Sequence, residues 1–226
     1  MTDRKPACSL PPTRIGTETN PSARPWEVTR MKMANPAPLG LTGFAMTTWL
    51  LCLHNAGFFG GDSVPMTLAV AFAFGGTAQF CAGLLEFPRG NTFGFVAFCS
   101  YGAFWWSFAL FVQFFHTGVP APFVGWYLAS WGVFSVMMWI GTFRLNRVLQ
   151  LIFLALWITF FLLAIGEWFA IPMAGTIGGF TGLLTALLAF YLAAAEVINE
   201  TRGEMVLPIG PYKAPTAPAP MRSQAA

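Results

Sequence analysis

Apolar positions come in six long runs, roughly 38–60, 65–86, 93–115, 122–143, 148–166 and 172–195, separated by the short connectors GGDSV, FPRGNT, HTGVPA, FRLNR and EWFAI. A helix of about 20 apolar residues crosses the hydrocarbon core of a bilayer, and each run is near or above that length. The alternating pattern of a membrane barrel strand is absent. Backbone groups inside lipid must be satisfied within their own segment, so the runs predict six transmembrane helices: an all-α integral membrane protein. The six-helix domain spans 35–205. Its flanks, a leader at 1–34 and a tail at 206–226, are rich in Pro, Ser, Thr and Ala and are expected to be disordered. The leader lacks the apolar core of a cleavable signal peptide.

Composition agrees with this pattern. Hydrophobic residues fill 56% of the 226 positions and Asp, Glu, Lys and Arg only 9%, against about a quarter charged in a soluble domain. The placement of the cations then orients the helices. Arg4, Lys5, Arg14, Arg24, Arg30 and Lys32 precede the first run. Arg89 lies in the second connector, Arg144 and Arg147 in the fourth, and Arg202, Lys213 and Arg222 after the last. The first, third and fifth connectors have none. All twelve therefore fall on one side, which the positive-inside rule makes cytoplasmic, with both termini there.

The polar residues inside the runs are few. In the first run Gly40, Phe44, Thr47, Leu51, His54, Asn55 and Phe58 share an arc of about 100°, with Thr48 at its edge. A hydroxyl bonded back to its own helix explains Thr47 and Thr48 equally well, and an interhelical bond explains His54 and Asn55. In the second run Phe72, Gly75, Gly76, Gln79, Gly83 and Glu86 share a face. Gln79 is an amide in mid-membrane and needs a protein or water partner; close helix packing with Gln79 as glue is the plain alternative. Glu86 with Arg89 three residues on reads simply as an ion pair. Tyr101, Trp105 and Phe108 line one face of the third run. Gly175/Gly179, Gly178/Gly182 and Gly182/Ala186 in the last mark helix contact.

What is missing narrows the function. There is no GxxxxGK[ST] phosphate loop, no HExxH and no GxSxG, so neither ATP-driven pumping nor enzymatic catalysis is expected. No cofactor, metal or nucleic-acid partner is expected either. No Lys or Arg lies mid-span, and the acids are peripheral: Asp62 and Glu167 outside, Glu86 and Glu196 inside. Such a lining suits a small, weakly polar solute or a singly charged anion.

The blocks NPAPLGLTGFAMTTWLLCLHNAG, GGTAQFCAGLLEFPRGNTFG, SYGAFWW, WGVF, RVLQ and AEVINE…VLPIG, in this order from Asn35 to about Gly210, resemble the acetate uptake transporter family, six-helix acetate/succinate permeases of bacteria and fungi. The signature is Asn35, Pro36, Ala37, Pro38, Leu39, Gly40 and Leu41. The resemblance implies transport of acetate, and of succinate and short monocarboxylates, across the plasma (inner) membrane, coupled to protons or channel-like. It also implies a homohexamer with one pore per subunit and a hydrophobic constriction at Phe44, Tyr101 and Leu156. Departures lie in a short third connector and in GEWFAIPMAG, which places Glu167 and Trp168 where the family varies.

The resulting expectation is a substrate pathway along Thr47, Thr48, His54, Asn55, Gln79 and Trp105, with His54, Glu86 and Glu167 as candidates for a proton link. A passive anion channel and a neutral-solute (ammonia or water) channel are the alternatives. In NPAPLGL, Asn35 is expected to cap the first helix, and both prolines fall in its first turn, where the N–H groups are orphaned anyway.

Overall fold

The computed structural model describes residues 33–210, and the compact unit containing the apolar runs begins at Asn35. The readings of the leader and of 211–226 fall outside the described residues. Among those described there are only helices, turns and connectors. They are α1 (Ala37–Asn55); a 3-10 turn (Gly61–Ser63), α2 (Val64–Val70), a π-helical stretch (Ala71–Ala78) and α3 (Gln79–Glu86), all in one rod; α4 (Thr92–Leu110), prolonged by π-helical Phe111–Phe115; α5 (Ala121–Gly141) with a 3-10 turn (Thr142–Arg144); α6 (Arg147–Phe169); and α7 (Pro172–Arg202).

Five of these rods, Gly61–Glu86, Thr92–Phe115, Ala121–Arg144, Arg147–Phe169 and Pro172–Arg202, are long and apolar enough to cross a membrane. α1 is the exception. It carries three Thr, an Asn and a His in 19 residues, and it packs against α7, α2, the π stretch, α3 and α4. Neighbouring helices, rather than lipid, therefore receive much of its polarity. The outer faces of the other rods expose Phe123, Trp126, Val133, Met137 and Ile140 on α5 and Ile177, Phe180, Leu184 and Leu187 on α7, a surface that water does not tolerate in such density.

α1 starts one residue later than its sequence predicts: Pro36, with helical dihedrals (φ −81°, ψ −14°), is the cap residue and no side chain caps it, while Asn35 Oδ1 accepts from Ala37 N at 3.1 Å. Gly40 and Gly43 then bring α1 against its neighbours: a Cβ on Gly40 would sit 2.6 Å from the Phe98 ring, and one on Gly43 2.7 Å from the Phe74 carbonyl. The π stretch carries Gly75 and Gly76, whose missing side chains make room for Thr47 and Trp106. Trp106 Nε1 and the Thr77 hydroxyl both donate to the Phe72 carbonyl, at 3.3 and 2.7 Å, using an acceptor that the wider π turn leaves accessible. Elsewhere the ends are capped by Asn91 (to Gly94 N, 3.1 Å) and Asn146 (to Leu149 N, 2.8 Å).

The last helix runs through Arg202, seven residues beyond the apolar run, and the chain stays ordered past 206. Val206 N and Leu207 N donate to Asn199 Oδ1, Tyr191 donates to the Pro208 carbonyl, and Ile209 and Gly210 accept from Val148 N and Arg147 N. These last two bonds satisfy donors at the start of α6 that its own helix cannot, which gives 206–210 a fixed place despite its Pro/Gly-rich composition.

Candidate functional site

Three cavities lie in series inside the bundle. The first, about 200 Å³, opens where α1 begins and α7 ends; Leu41, Phe44, Gln79, Tyr101, Leu156 and Glu196 are among its walls, with Asn91 and Asn146. The second, about 160 Å³, is lined by Phe44, Thr48, Asn55, Trp105, Phe160 and Glu167 among others, and again by Leu156. The third, about 300 Å³, is an open mouth between His54, Asn55, Glu167 and Thr176. Phe44 and Leu156 border both the first and second cavities; Asn55, Leu163 and Glu167 border both the second and third. Each volume is far above the ~10–15 Å³ that a single water needs.

Phe44, shared by the first two cavities, belongs to an aromatic cluster. The Phe44 and Tyr101 rings are 5.8 Å apart, and Tyr101 also meets Trp131, Phe134 and Phe153 at 5.9, 5.4 and 6.1 Å. Tyr101 is only 2% exposed, and its hydroxyl is satisfied by Ser135 at 2.7 Å. The polar tip is thus held toward α5.

Buried polar atoms on the path are left without partners. These are Gln79 Oε1 in the first cavity and Thr48 Oγ1 and Trp105 Nε1 in the second. An orphaned buried group costs roughly 1–3 kcal/mol; Glu86 Oε1 and the indole nitrogens of Trp139, Trp157 and Trp168 are left in the same way on residues that line none of the three cavities.

The expected residues sort unevenly. Phe44, Leu156, Tyr101, Thr48, Asn55, Gln79 and Trp105 line the cavities, and His54 lines only the mouth, with Nδ1 3.2 and 3.1 Å from the carbonyls of Phe59 and Gly60. Thr47 does not line the path. It is fully buried, donates to the Gly43 carbonyl at 2.8 Å and fills the space at Gly75. The lining stripe of α1 is 37, 41, 44, 48, 51, 52 and 55, a regular i, i+3/i+4 track passing through Thr48. Glu86 lines no cavity either: its carboxylate accepts from Asn91 Nδ2 (3.0 Å) and lies 3.6 Å from Arg89 Nε, the plain ion pair. Sequence reasoning missed Asn91, Asn146 and Glu196 as cavity residues. The two asparagines carried a capping signal, which they obey, and nothing in sequence shows that a cap also faces a cavity.

The GPR1/FUN34/yaaH family matches the chain over residues 15–213. The chain belongs to this family. Within the same similarity lies the succinate-acetate/proton symporter SatP of Escherichia coli (strain K12), 48% identical over 183 residues, 79% of this chain and 96% of that protein. Acetate permease A of Emericella nidulans is 35% identical over 222 residues, 90% of this chain and 74% of the permease. A solved structure of the bacterial acetate channel SatP is similar at a TM-score of 0.76 and 48% identity, over 79% of this chain and all of that one. The resemblance seen in the NPAPLGL-containing blocks thus extends over both sequence and fold. One relative is described as a proton symporter and the solved structure as a channel.

Proposed function

We propose that this family member carries acetate, other short monocarboxylates and the dicarboxylate succinate across the plasma (inner) membrane along the three cavities. The observation that supports this best is the sharing of Phe44 and Leu156 by two mainly apolar cavities that each carry a few polar groups, an aliphatic-aromatic pinch between two waiting places. With Tyr101 they form the constriction. Gln79 on one side and Thr48, Asn55 and Trp105 on the other supply the hydrogen-bonding groups.

α1 is the sixth span, at about 28 Å for 19 residues at 1.5 Å each, shielded from lipid by its neighbours. Arg89, Arg144, Arg147 and Arg202 lie in the connectors and helix ends on the side of the first cavity, so that cavity is the cytoplasmic one and both termini are inside. The assembly is a hexamer with a path in each subunit, and the exposed Ile177, Phe180, Leu184 and Leu187 stripe of α7 offers one apolar seam for it.

An inside-negative potential opposes an anion by about 2.3 kcal/mol per charge per 100 mV, so uphill uptake requires a proton to accompany acetate. Labelled-acetate uptake into proteoliposomes, with pH and voltage gradients imposed separately and protein-free liposomes as blank, tests the reading. Flux above the blank that follows the pH gradient means symport; flux that follows voltage alone means an acetate channel. No flux above the blank overturns acetate transport, and flux indifferent to competing propionate points to a neutral-solute channel.

A further inference from the structure

We propose that Glu196 couples a proton to each carboxylate passing the inner cavity, by excluding the bare anion and accepting the proton of the acid; this rests on the transport reading above. Glu196 is the one acidic side chain among the walls of that cavity, and no cation lines it. Ionised, it opposes an acetate anion at short range in a low-dielectric vestibule. A fixed cation that would offset this is lacking in the lining.

Its resting place is built. Asn35 donates from Nδ2 to Glu196 Oε2 at 3.0 Å, while the other end of the same amide, Oδ1, accepts from Ala37 N at 3.1 Å. The backbone bond sets which way the amide points, so its NH2 is committed to the carboxylate. The segment before α1 therefore holds the Ala37 N–H and presents a donor to Glu196 together. Further charged groups around Glu196 among the described residues are Glu86 at the end of α3, Arg89 in the connector after it and Glu200 on its own helix; the residues just before α1 and α6 are the uncharged Asn35, bonded to Glu196, and Asn146, in the cavity wall.

A second observation points the same way. Gln79, at 1% exposure, lines the cavity with its carbonyl oxygen unpartnered. That atom accepts hydrogen bonds only. It can receive one from the O–H of a carboxylic acid or from water, and none from a carboxylate. On reaching the inner cavity, the acid gives its proton to ionised Glu196: the acid's O–H bond breaks, an O–H bond forms on Glu196, and acetate leaves. Glu196 then yields the proton to inner water and takes back the Asn35 N–H.

The test is Glu196→Gln in the full chain, reconstituted and compared with wild type and with Glu200→Gln, an exposed position outside the cavity. Gln still accepts from Asn35 but neither ionises nor holds a proton. Wild-type and Glu200→Gln accumulation should follow pH, about tenfold per pH unit at one proton per acetate, and ignore voltage. Glu196→Gln should keep the wild-type size-exclusion profile, since Asn35 retains an acceptor, yet lose the pH response and gain a voltage-driven flux. The proposal is overturned if Glu196→Gln stays electroneutral and pH-driven, if it folds yet shows no voltage-driven flux, if Glu200→Gln behaves like it, or if wild type is itself voltage-driven. Only an absence of wild-type flux would also sink the transport reading.

Discussion

The phenol of Tyr101 on α4 lies 2.7 Å from Ser135 Oγ on α5, and Ser135 donates its own proton to the Trp131 carbonyl at 2.7 Å, so Tyr101 is the donor of the pair. A second pair runs the other way. Tyr127 on α5 lies 2.7 Å from Ser107 on α4, whose hydroxyl donates to the Phe104 carbonyl at 2.9 Å. The backbones of α4 and α5 meet only sparsely. These two hydroxyl pairs, with Phe104 stacked on Tyr127, join the helices across the gap and set the position of one constriction wall.

Ser135→Ala should accordingly lower thermal stability in detergent by about 1–3 kcal/mol, the cost of a buried phenol O–H left without an acceptor. Tyr101→Phe removes the donor instead and leaves Ser135 bonded to Trp131, so its cost should be about 1 kcal/mol or less. Equal losses in the two variants would show that the hydroxyl pair does not hold the ring.

Leu156→Ala should widen the pinch between the first two cavities. We expect propionate and butyrate uptake to rise relative to acetate, read as competition against labelled acetate. The stability loss should sit near the lower end of the ~2–5 kcal/mol usual for Leu→Ala, because the site already borders empty volume. An unchanged substrate ranking would remove Leu156 from the constriction.

Gln79→Leu separates stability from transport. The substitution deletes an orphaned buried amide oxygen, so the melting temperature should hold or rise, while acetate flux falls about tenfold, the value of one ~1.4 kcal/mol hydrogen-bonding interaction lost on the path. A stability drop of several kcal/mol with normal flux would make Gln79 packing glue between helices.

Gly179→Val tests the seam between α7 and α1. A Cβ at Gly179 would lie 2.7 Å from the Asn55 carbonyl carbon, and backbone cannot step aside as a flexible side chain does. Folded yield should collapse, whereas Gly175→Ala, where a Cβ meets nothing within 4 Å, should be neutral in size-exclusion profile and melting temperature.

Much of the membrane architecture was written in the chain. Long apolar runs with short connectors dictate helices, because lipid offers no partner to an unpaired backbone. Asn35 and the two prolines place the start of α1 to within a residue, a local matter of orphaned N–H groups: the helix begins at Ala37, whose N–H donates to Asn35. The colinear blocks around NPAPLGL carried the family, and Phe44, Tyr101 and Leu156 came with it.

Rotation and partnership were different. A helix apolar on nearly every side has no strong preferred face, so periodicity could not choose between Thr47 and Thr48. The close approach of the π stretch at Gly75 turned Thr47 inward to a neighbour and left Thr48 on the cavities. The pairing of Asn35 with Glu196 spans 161 residues, and that of Tyr101 with Ser135 spans 34; no local rule reaches so far. Sequence determined which segments are helices and how they start, since those depend on neighbours along the chain. Which polar atom meets another, and which is left facing a cavity, depended on neighbours in space.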